Sequence, residues 1–582
     1  MQVRTKIISL CGREESMRNS KCFRLGMTLV SIAIMLALVF GFGRPVEAAQ
    51  AGGLMRIFVN GTIHLDAKRT ATNLVVQDGK VMGFDVDLQK HSEAEVVDLQ
   101  GGVVYPGFND SHCHLMEAGS FLRIGVDLSQ CTDAKCIAEA MRKKAVTLKG
   151  REDMLLGIGF SLENYDAWSL ADLAQLDSAT GDHPTFLMDK LGHNVLVNSA
   201  TMALTGIKPG TTPPPGGKIV EENGKPTGML RESAALLAGN AIYARLDAGQ
   251  VKAGTLELLR RWASMGYTAI IDMMGSPSGR IMQPEVFREM EQEGSLPLRI
   301  NYMYTIYKLD DVEDALKYAG KDTDMVRFTG VKLFVDGAYA GGLAWTTWLN
   351  AQGGHGLHYV DGDDAEGDQY NLDRIVQRIE KCGLNAHYHV QGDAGIKALL
   401  NALDRIVSEQ GALHSTHTII HLAFPTPEQI ERIKRFEGKV VTTVQPAFWV
   451  VESDADHYYG KRAPGAYPIK KLIDAGISVG MSTDFSVSPL SHAPPTMIMK
   501  VAATESGPGR KPVSVPEVVH GLTVGSAANT AKSDIGILDV GYKADMVVYD
   551  RELFTSKPEG FDKDVPKVLS TWIGGRKVEI PR

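Results

Sequence analysis

The hydrophobic and polar positions of this 582-residue chain fall into distinct regimes. From Leu54 to about Pro106, short runs rich in β-branched residues (RIFVNGTIHL, NLVVQDGKVMGFDV, VVDLQGGVVYP) are cut by turn signals. Asp78-Gly79 separates two such runs, and a type I′ hairpin turn needs positive φ at both central residues, which Asp-Gly tolerates. The C-terminus has the same character in ADMVVYD and WIGGRKVEI. Two strand-rich ends around a long middle predict one small, sandwich-like β domain assembled from residues 50–106 and 536–582.

In the middle, apolar runs of strand length (YTAIIDMMG, LRINYMY, TGVKLFVDG, LNAHYHVQGD, THTIIHLA, KVVTTVQPA, ISVGMSTDF) alternate with helix-like stretches such as DRIVQRIEKCG and AGIKALLNALDRIVSEQ. Two helix starts carry reciprocal capping chemistry, Thr426 with Gln429 and Ser514 with Glu517, each with proline in its first turn. Strand–helix alternation sustained over several hundred residues predicts the α/β class with a parallel sheet. The number of repeats favours a closed (β/α)8 TIM barrel over residues 107–535. Residues 216–230, GGKIVEENGKPTGML, break the alternation and read as a hairpin with Asn223-Gly224 at its turn, inserted beside the barrel mouth. No glycine-rich dinucleotide fingerprint follows an early strand.

Residues 27–43 form a charge-free, mainly apolar run that follows scattered Lys and Arg and precedes Val46-Glu47-Ala48-Ala49. This predicts a signal peptide over residues 1–49 and a secreted or periplasmic protein. The run lies near the lower limit of the ~17–25 residues that span a bilayer, so an uncleaved anchor is the alternative. Four cysteines remain beyond it, Cys113, Cys131, Cys136 and Cys382. They make no disulfide framework, but an oxidising compartment permits a Cys131–Cys136 bridge; otherwise the two are small apolar residues flanking a helix start.

With 44% hydrophobic and 22% charged residues, disordered, collagen-like and coiled-coil chains are excluded. The net charge is −8, and the first 48 residues hold 7 Lys/Arg against 3 acids, which leaves 54 basic and 66 acidic residues elsewhere. An acidic body without a Lys/Arg block is a poor match for phosphate backbones, so no nucleic-acid partner is expected.

Candidate chemistry begins at His112-Cys113-His114, at the end of an early apolar run. Residues i and i+2 of a strand share a face and can hold one ion between them, and barrel active sites lie at the C-terminal ends of strands. Lys332, His389, His421 and Asp484 fall at the ends of separate apolar runs. A buried Lys or Asp without a partner costs several kcal/mol, on the order of a whole ion pair, so these groups need hydrogen bonds, ion pairs or a metal. A shared metal site satisfies all of them together. Taken singly, each is also open to a plainer reading as a barrel residue bonded to backbone.

PGFNDSHCH, GVKLFVDG, HVQGDAG, IIH, the Gln445-Pro446 pair and MSTDF, in this order, resemble the motif set of the amidohydrolase superfamily, in particular its YtcJ-like branch, which includes N-substituted formamide deformylase. GILDVGYKADMVVYD resembles that family's closing sheet. The resemblance covers roughly residues 54–582 and implies a distorted barrel holding one or two divalent metal ions, usually zinc. It implies His112, His114 and Asp484 on the more buried metal, His389 and His421 on the more exposed one, and Lys332 between them, N6-carboxylated by CO2. It further implies Asp484 as the general base and His193, in DKLGHNVLVNS, as a binder of the substrate carbonyl or oxyanion.

Several readings stay open. Lys332 is alternatively an unmodified lysine paired with Asp336 or another acid, and His193 a core histidine. His387 shares the strand face of His389 but is expected to pack deeper in the barrel. Glu232, in GMLRESA, stands where members of that family often keep a glutamate, and a solvated acid at a helix start explains it equally well. The expected function is hydrolysis of a carbon–nitrogen bond in a non-peptide amide, with a small-molecule substrate, no membrane after signal cleavage, and a homodimer left open. The alternatives are a deaminase or an ester or lactone hydrolase on the same metal site, or a non-catalytic binding protein that keeps the fold.

Overall fold

A computed structural model describes residues 54–580 apart from 149, 151–152, 361–368, 452–454, 506–509 and 532–533. The expected signal segment lies outside the described residues. No described helix is long and apolar enough to cross a membrane.

Eight parallel strands follow one another around a nearly closed barrel: Phe108–Cys113, Tyr267–Asp272, Arg299–Ile306, Val326–Phe334, Asn385–Val390, His417–His421, Val440–Val444 and Val479–Met481. Ser111 Oγ bridges the first and eighth strands, 3.3 Å from Met481 O. Amphipathic helices cover the outside. In Leu372–Lys381, Leu372, Ile375, Val376 and Ile379 are buried at helical spacing and meet the strand side chains in one large core. Both expected capping boxes form; at the first start, Gln429 N donates to Thr426 Oγ1 at 3.2 Å while Thr426 N donates to Gln429 Oε1 at 2.9 Å.

The terminal segments form two sheets around a shared apolar core. The four-stranded sheet carries Arg56–Val59, Leu74–Gln77, Lys80–Phe84 and Glu95–Asp98. In the six-stranded sheet, Val103–Pro106 pairs antiparallel with Met546–Tyr549, joining the two ends of the chain. Phe58 from one sheet meets Trp572 from the other edge to face, at 4.9 Å. Asp78 and Gly79 take φ of 52° and 78° at the predicted hairpin tip.

Between the first and second barrel strands the chain builds a further lobe. Its six-stranded mixed sheet runs from Val126–Asp127 through Leu155–Phe160, Thr185–Asp189 and Asn194–Val197 to Lys225–Arg231 and Lys218–Glu222. The hairpin at 216–230 is the outer edge of this sheet, with Asn223 and Gly224 at φ of 52° and 72°. A Cys131–Cys136 disulfide closes a short loop at the start of helix Ala134–Ala145. The helix after the lobe, Ala248–Ser264, crosses helix Leu115–Ile124 at Gly254 and Gly119, where a Cβ on Gly119 would come within 2.6 Å of the facing backbone.

Candidate active site at the barrel mouth

The parallel strands deliver every predicted metal ligand to one rim. His112 and His114 stand at the end of the first strand, Lys332 two residues before the end of the fourth, and His389 one before the end of the fifth. His421 ends the sixth strand, and Asp484 follows the eighth by three residues. These six and His193, which comes from the inserted lobe, line a single cavity.

Backbone bonds clamp the first strand to the loop carrying Asp484: Asp484 N donates to His112 O at 2.9 Å, and His114 N to Phe485 O at 2.7 Å. Beneath them the buried Asp110 carboxylate accepts from Thr483 Oγ1 at 2.6 Å, Thr483 N at 3.0 Å and Trp262 Nε1 at 2.9 Å. Burial pushes its carboxyl up to about 6.

His112, His114 and Asp484 form a compact cluster whose ligand atoms lie within 4.8 Å of one another. Asp484 Oδ1 is 3.2 Å from His112 Nε2 and 3.4 Å from His114 Nε2, yet has no hydrogen-bond partner among the described residues. Two ligands on a tetrahedral ion at 2.0–2.1 Å are about 3.3 Å apart, so these spacings suit three atoms aimed at one ion. Lys332 Nζ is likewise fully buried and unbonded among the described residues, which suits a group waiting on a further partner. His389 Nδ1 and His421 Nε2 form a second pair 3.0 Å apart, and Gln445 Oε1 fixes His421 through Nδ1 at 2.8 Å. His421 Nδ1 lies 3.9 Å from Asp484 Oδ2, so the two groups adjoin. The donor set therefore fits one or two divalent ions.

Charge follows the geometry. Burial would raise the Asp484 carboxyl, but the imidazoles of His112, His114 and His421 outweigh it and hold the acid well below its usual range. Burial pushes Lys332 down to about 7, opposed by Asp484, so an uncharged amine is populated at neutral pH. Asp336 is not its partner: that carboxylate accepts from the amides of Trp345, Gln391 and Gly392 instead. His387 packs below the rim, with Nε2 2.9 Å from Asn529 O.

Glu232 is fully buried, which corrects its reading as a solvated acid. His193 Nδ1 lies 2.6 Å from Glu232 Oε2, and the Tyr359 hydroxyl donates to the same oxygen. Burial alone would lower the His193 pKa, but the Glu232 charge and hydrogen bond outweigh it and the value rises. His193 thus presents its other ring nitrogen, Nε2, to the cavity it lines. Glu232, His421 and Asp484 all hold left-handed φ, of 51°, 73° and 48°. Such strain, on the order of 1–3 kcal/mol per residue, persists where a site over-determines the backbone. The sequence signal for Glu232 was the resemblance of GMLRESA, where members of the family often keep a glutamate.

The sequence pattern of the amidohydrolase family matches residues 95–578. The chain belongs to that family. It is 27% identical over 509 residues to YtcJ of Bacillus subtilis strain 168, covering 83% of this chain and 91% of that one. It is 23% identical over 519 residues to the N-substituted formamide deformylase of Arthrobacter pascens, covering 85% of this chain and 93% of the relative. Among solved structures, an uncharacterized metal-dependent hydrolase from Pyrococcus horikoshii superposes with a TM-score of 0.67 at 23% identity, over 87% of this chain and 99% of that one. That likeness bears on the fold, and it agrees with the amidohydrolase barrel described above.

Proposed function

We propose that this amidohydrolase hydrolyses a carbon–nitrogen bond of a small non-peptide amide, with one or two divalent ions held by His112, His114, Lys332, His389, His421 and Asp484. The observation that carries this reading is the convergence of those six side chains, drawn from five separate strand ends, on one buried cavity. The name of the Arthrobacter relative, a deformylase of N-substituted formamides, supports the choice of bond. The His/carboxylate donor set favours zinc, and such an ion supplies a Lewis acid and acidifies water from ~15.7 toward roughly 7. Lys332 would suit a ligand role as a carbamate: its neutral amine would form an N–C bond to CO2 and lose one proton, turning a neutral group into an anionic ligand.

Asp484 takes a proton from the attacking water and passes it to the departing nitrogen, so water and amide become acid and amine. The histidines around it keep the Asp484 carboxylate ionised. His193, protonated beside Glu232, donates from Nε2 to the carbonyl oxygen as negative charge develops there. Glu232 is a positioning residue: it fixes the His193 ring and its charge. We further propose that the chain is exported, a reading supported by the Cys131–Cys136 disulfide, since such bridges persist in oxidising compartments.

The test combines metal analysis, chelation and a substrate panel scored for released amine, ammonia or acid. Amide hydrolysis that is lost with the metal and restored by zinc is expected, and Asp484→Asn should retain most of the metal yet lose at least about a hundredfold in kcat. Near-normal turnover by that variant would remove Asp484 as the base. Release of ammonia from amino-heterocycles alone would move the enzyme to the deaminases.

A further inference from the structure

Beside the metal-ligand cavity lies a second cavity of about 260 Å3. The two share Phe334, which follows Lys332 by two residues on one strand and so faces the same side. Its ring centroid is 4.8 Å from Lys332 Nζ and 5.2 Å from the His389 ring. The cavity lined by the candidate ligands is about 40 Å3. At roughly 10–15 Å3 per water that is room for a few small groups, so the bulk of a substrate needs further space, and the cavity across Phe334 adjoins it. The second cavity exceeds the ~150 Å3 that accommodates a benzene ring.

One side of the second cavity is aromatic. The Tyr307 and Phe334 rings lie 8° from parallel with centroids 6.5 Å apart, and Tyr359 packs 5.7 Å from Phe334. The lining also carries two cations, Arg280 and Lys308, against one acid among the described lining residues, Asp311. The Arg280 guanidinium is held over the rings of Tyr304 and Tyr307, at 5.1 and 5.5 Å, and NH1 donates to the Tyr304 hydroxyl at 2.8 Å. Asp311 Oδ1 lies 3.4 Å from Arg280 NH1, while Oδ2 accepts from Tyr307 N at 2.9 Å. Asp311 thus offsets one positive charge and leaves another, beside flat ring faces. A guanidinium fixed in this way presents its remaining N–H groups in a fork that suits a carboxylate.

We propose that this second cavity is the subsite for the substituent of the amide, and that the substituent is an aromatic ring bearing a carboxylate. The inference rests on the hydrolase reading for the word substrate, but not for binding itself. It also connects the subsite to the chemistry, because Tyr359, which lines it, donates to the Glu232 carboxylate that holds His193.

Calorimetric titration of the full chain with benzoate, benzamide and benzylamine tests it. Benzoate should bind at millimolar concentration or below, benzamide roughly tenfold more weakly, and benzylamine not at all. Because the site is apart from the metal ligands, benzoate affinity should be unchanged after chelation. Arg280→Gln combined with Lys308→Gln should weaken benzoate about tenfold or more and leave benzamide alone; Lys308→Gln by itself, at a partly exposed position, is the milder variant and should weaken benzoate in the same direction. Equal binding of benzoate and benzamide, no benzoate binding, or binding that vanishes on chelation would each overturn the proposal. In the metal-loaded enzyme, the double variant should raise KM for a carboxylated N-aryl amide with kcat little changed. Benzoate binding without turnover of any amide would sink only the hydrolase reading, whereas amide turnover without charge discrimination would sink only the subsite.

Discussion

His193 and Glu232 show how far a single residue's role depends on what surrounds it. Each was singled out only by resemblance, with a plainer reading beside it, and the lobe strand Lys225–Arg231 and its register with Asn194–Val197 bring them to 2.6 Å. If Glu232 acts only through His193, the two should behave as a unit. Glu232→Gln should lower kcat by roughly ten- to a hundredfold with little change in thermal stability, and His193→Gln should lower it at least as much. The double variant should be no slower than His193→Gln alone, because coupled groups are strongly non-additive. Additive losses in that cycle would separate the two residues. The candidate ligands were more legible: His112 and His114 share a strand face by spacing, and the remaining four stand at the ends of apolar runs. What local pattern could not supply was their joint use, which rested on the resemblance of the ordered motifs. The burial of Glu232 was not legible, because it is decided by a lobe whose packing no local window contains.

At the scale of elements, the strand–helix alternation and both capping boxes were readable because each is encoded within a dozen residues. The inserted lobe was readable only in its outer hairpin. Its strands Leu155–Phe160 and Thr185–Asp189 are parallel and separated by helix Leu170–Thr180, the same pattern that builds the barrel. Nothing in either strand states that it pairs with the other instead of entering the barrel, so alternation alone spreads one barrel across both. The join between helix Leu372–Lys381 and strand His417–His421 offers a sharper test of an element contact. Buried Glu380 accepts from His417 Nε2 at 3.1 Å, from Ser415 N at 3.3 Å and from His414 N. Burial would raise its carboxyl, but these bonds outweigh it and hold the value at about 2 instead of the ordinary 4.5. The folded state therefore favours the ionised form, worth on the order of 3 kcal/mol above the unfolded pKa and lost as pH falls from 4.5 toward 2. Denaturant unfolding of Glu380→Gln should show a clear deficit at pH 7 that shrinks through this window. A deficit independent of pH would assign the loss to packing.

Across the whole molecule, the candidate metal ligands tie together strands that are far apart in sequence. His112 and His114 belong to the first barrel strand, Lys332 to the fourth, His389 to the fifth, His421 to the sixth, and Asp484 to the loop that closes the eighth against the first. Without an ion, that closure leaves Asp484 Oδ1 and Lys332 Nζ buried and unbonded among the described residues, each a desolvated group with no compensation. An ion bound at a thousand times its Kd would add about 4 kcal/mol to the stability of the folded barrel. The terminal β domain has its own core of Phe58, Val76, Val104, Val548 and Trp572 and contributes none of these ligands. Chelation should therefore lower the unfolding temperature of the barrel by several degrees, with recovery on adding zinc. A protein with several cores need not unfold in one step, so the transition that moves is the informative one. Asp484→Ala and His112→Ala should be insensitive to chelation, because each has already lost a ligand of the compact cluster. If wild type and both variants responded alike to chelator and zinc, the stabilising ion would sit elsewhere, and the convergence of side chains at the rim would need another explanation.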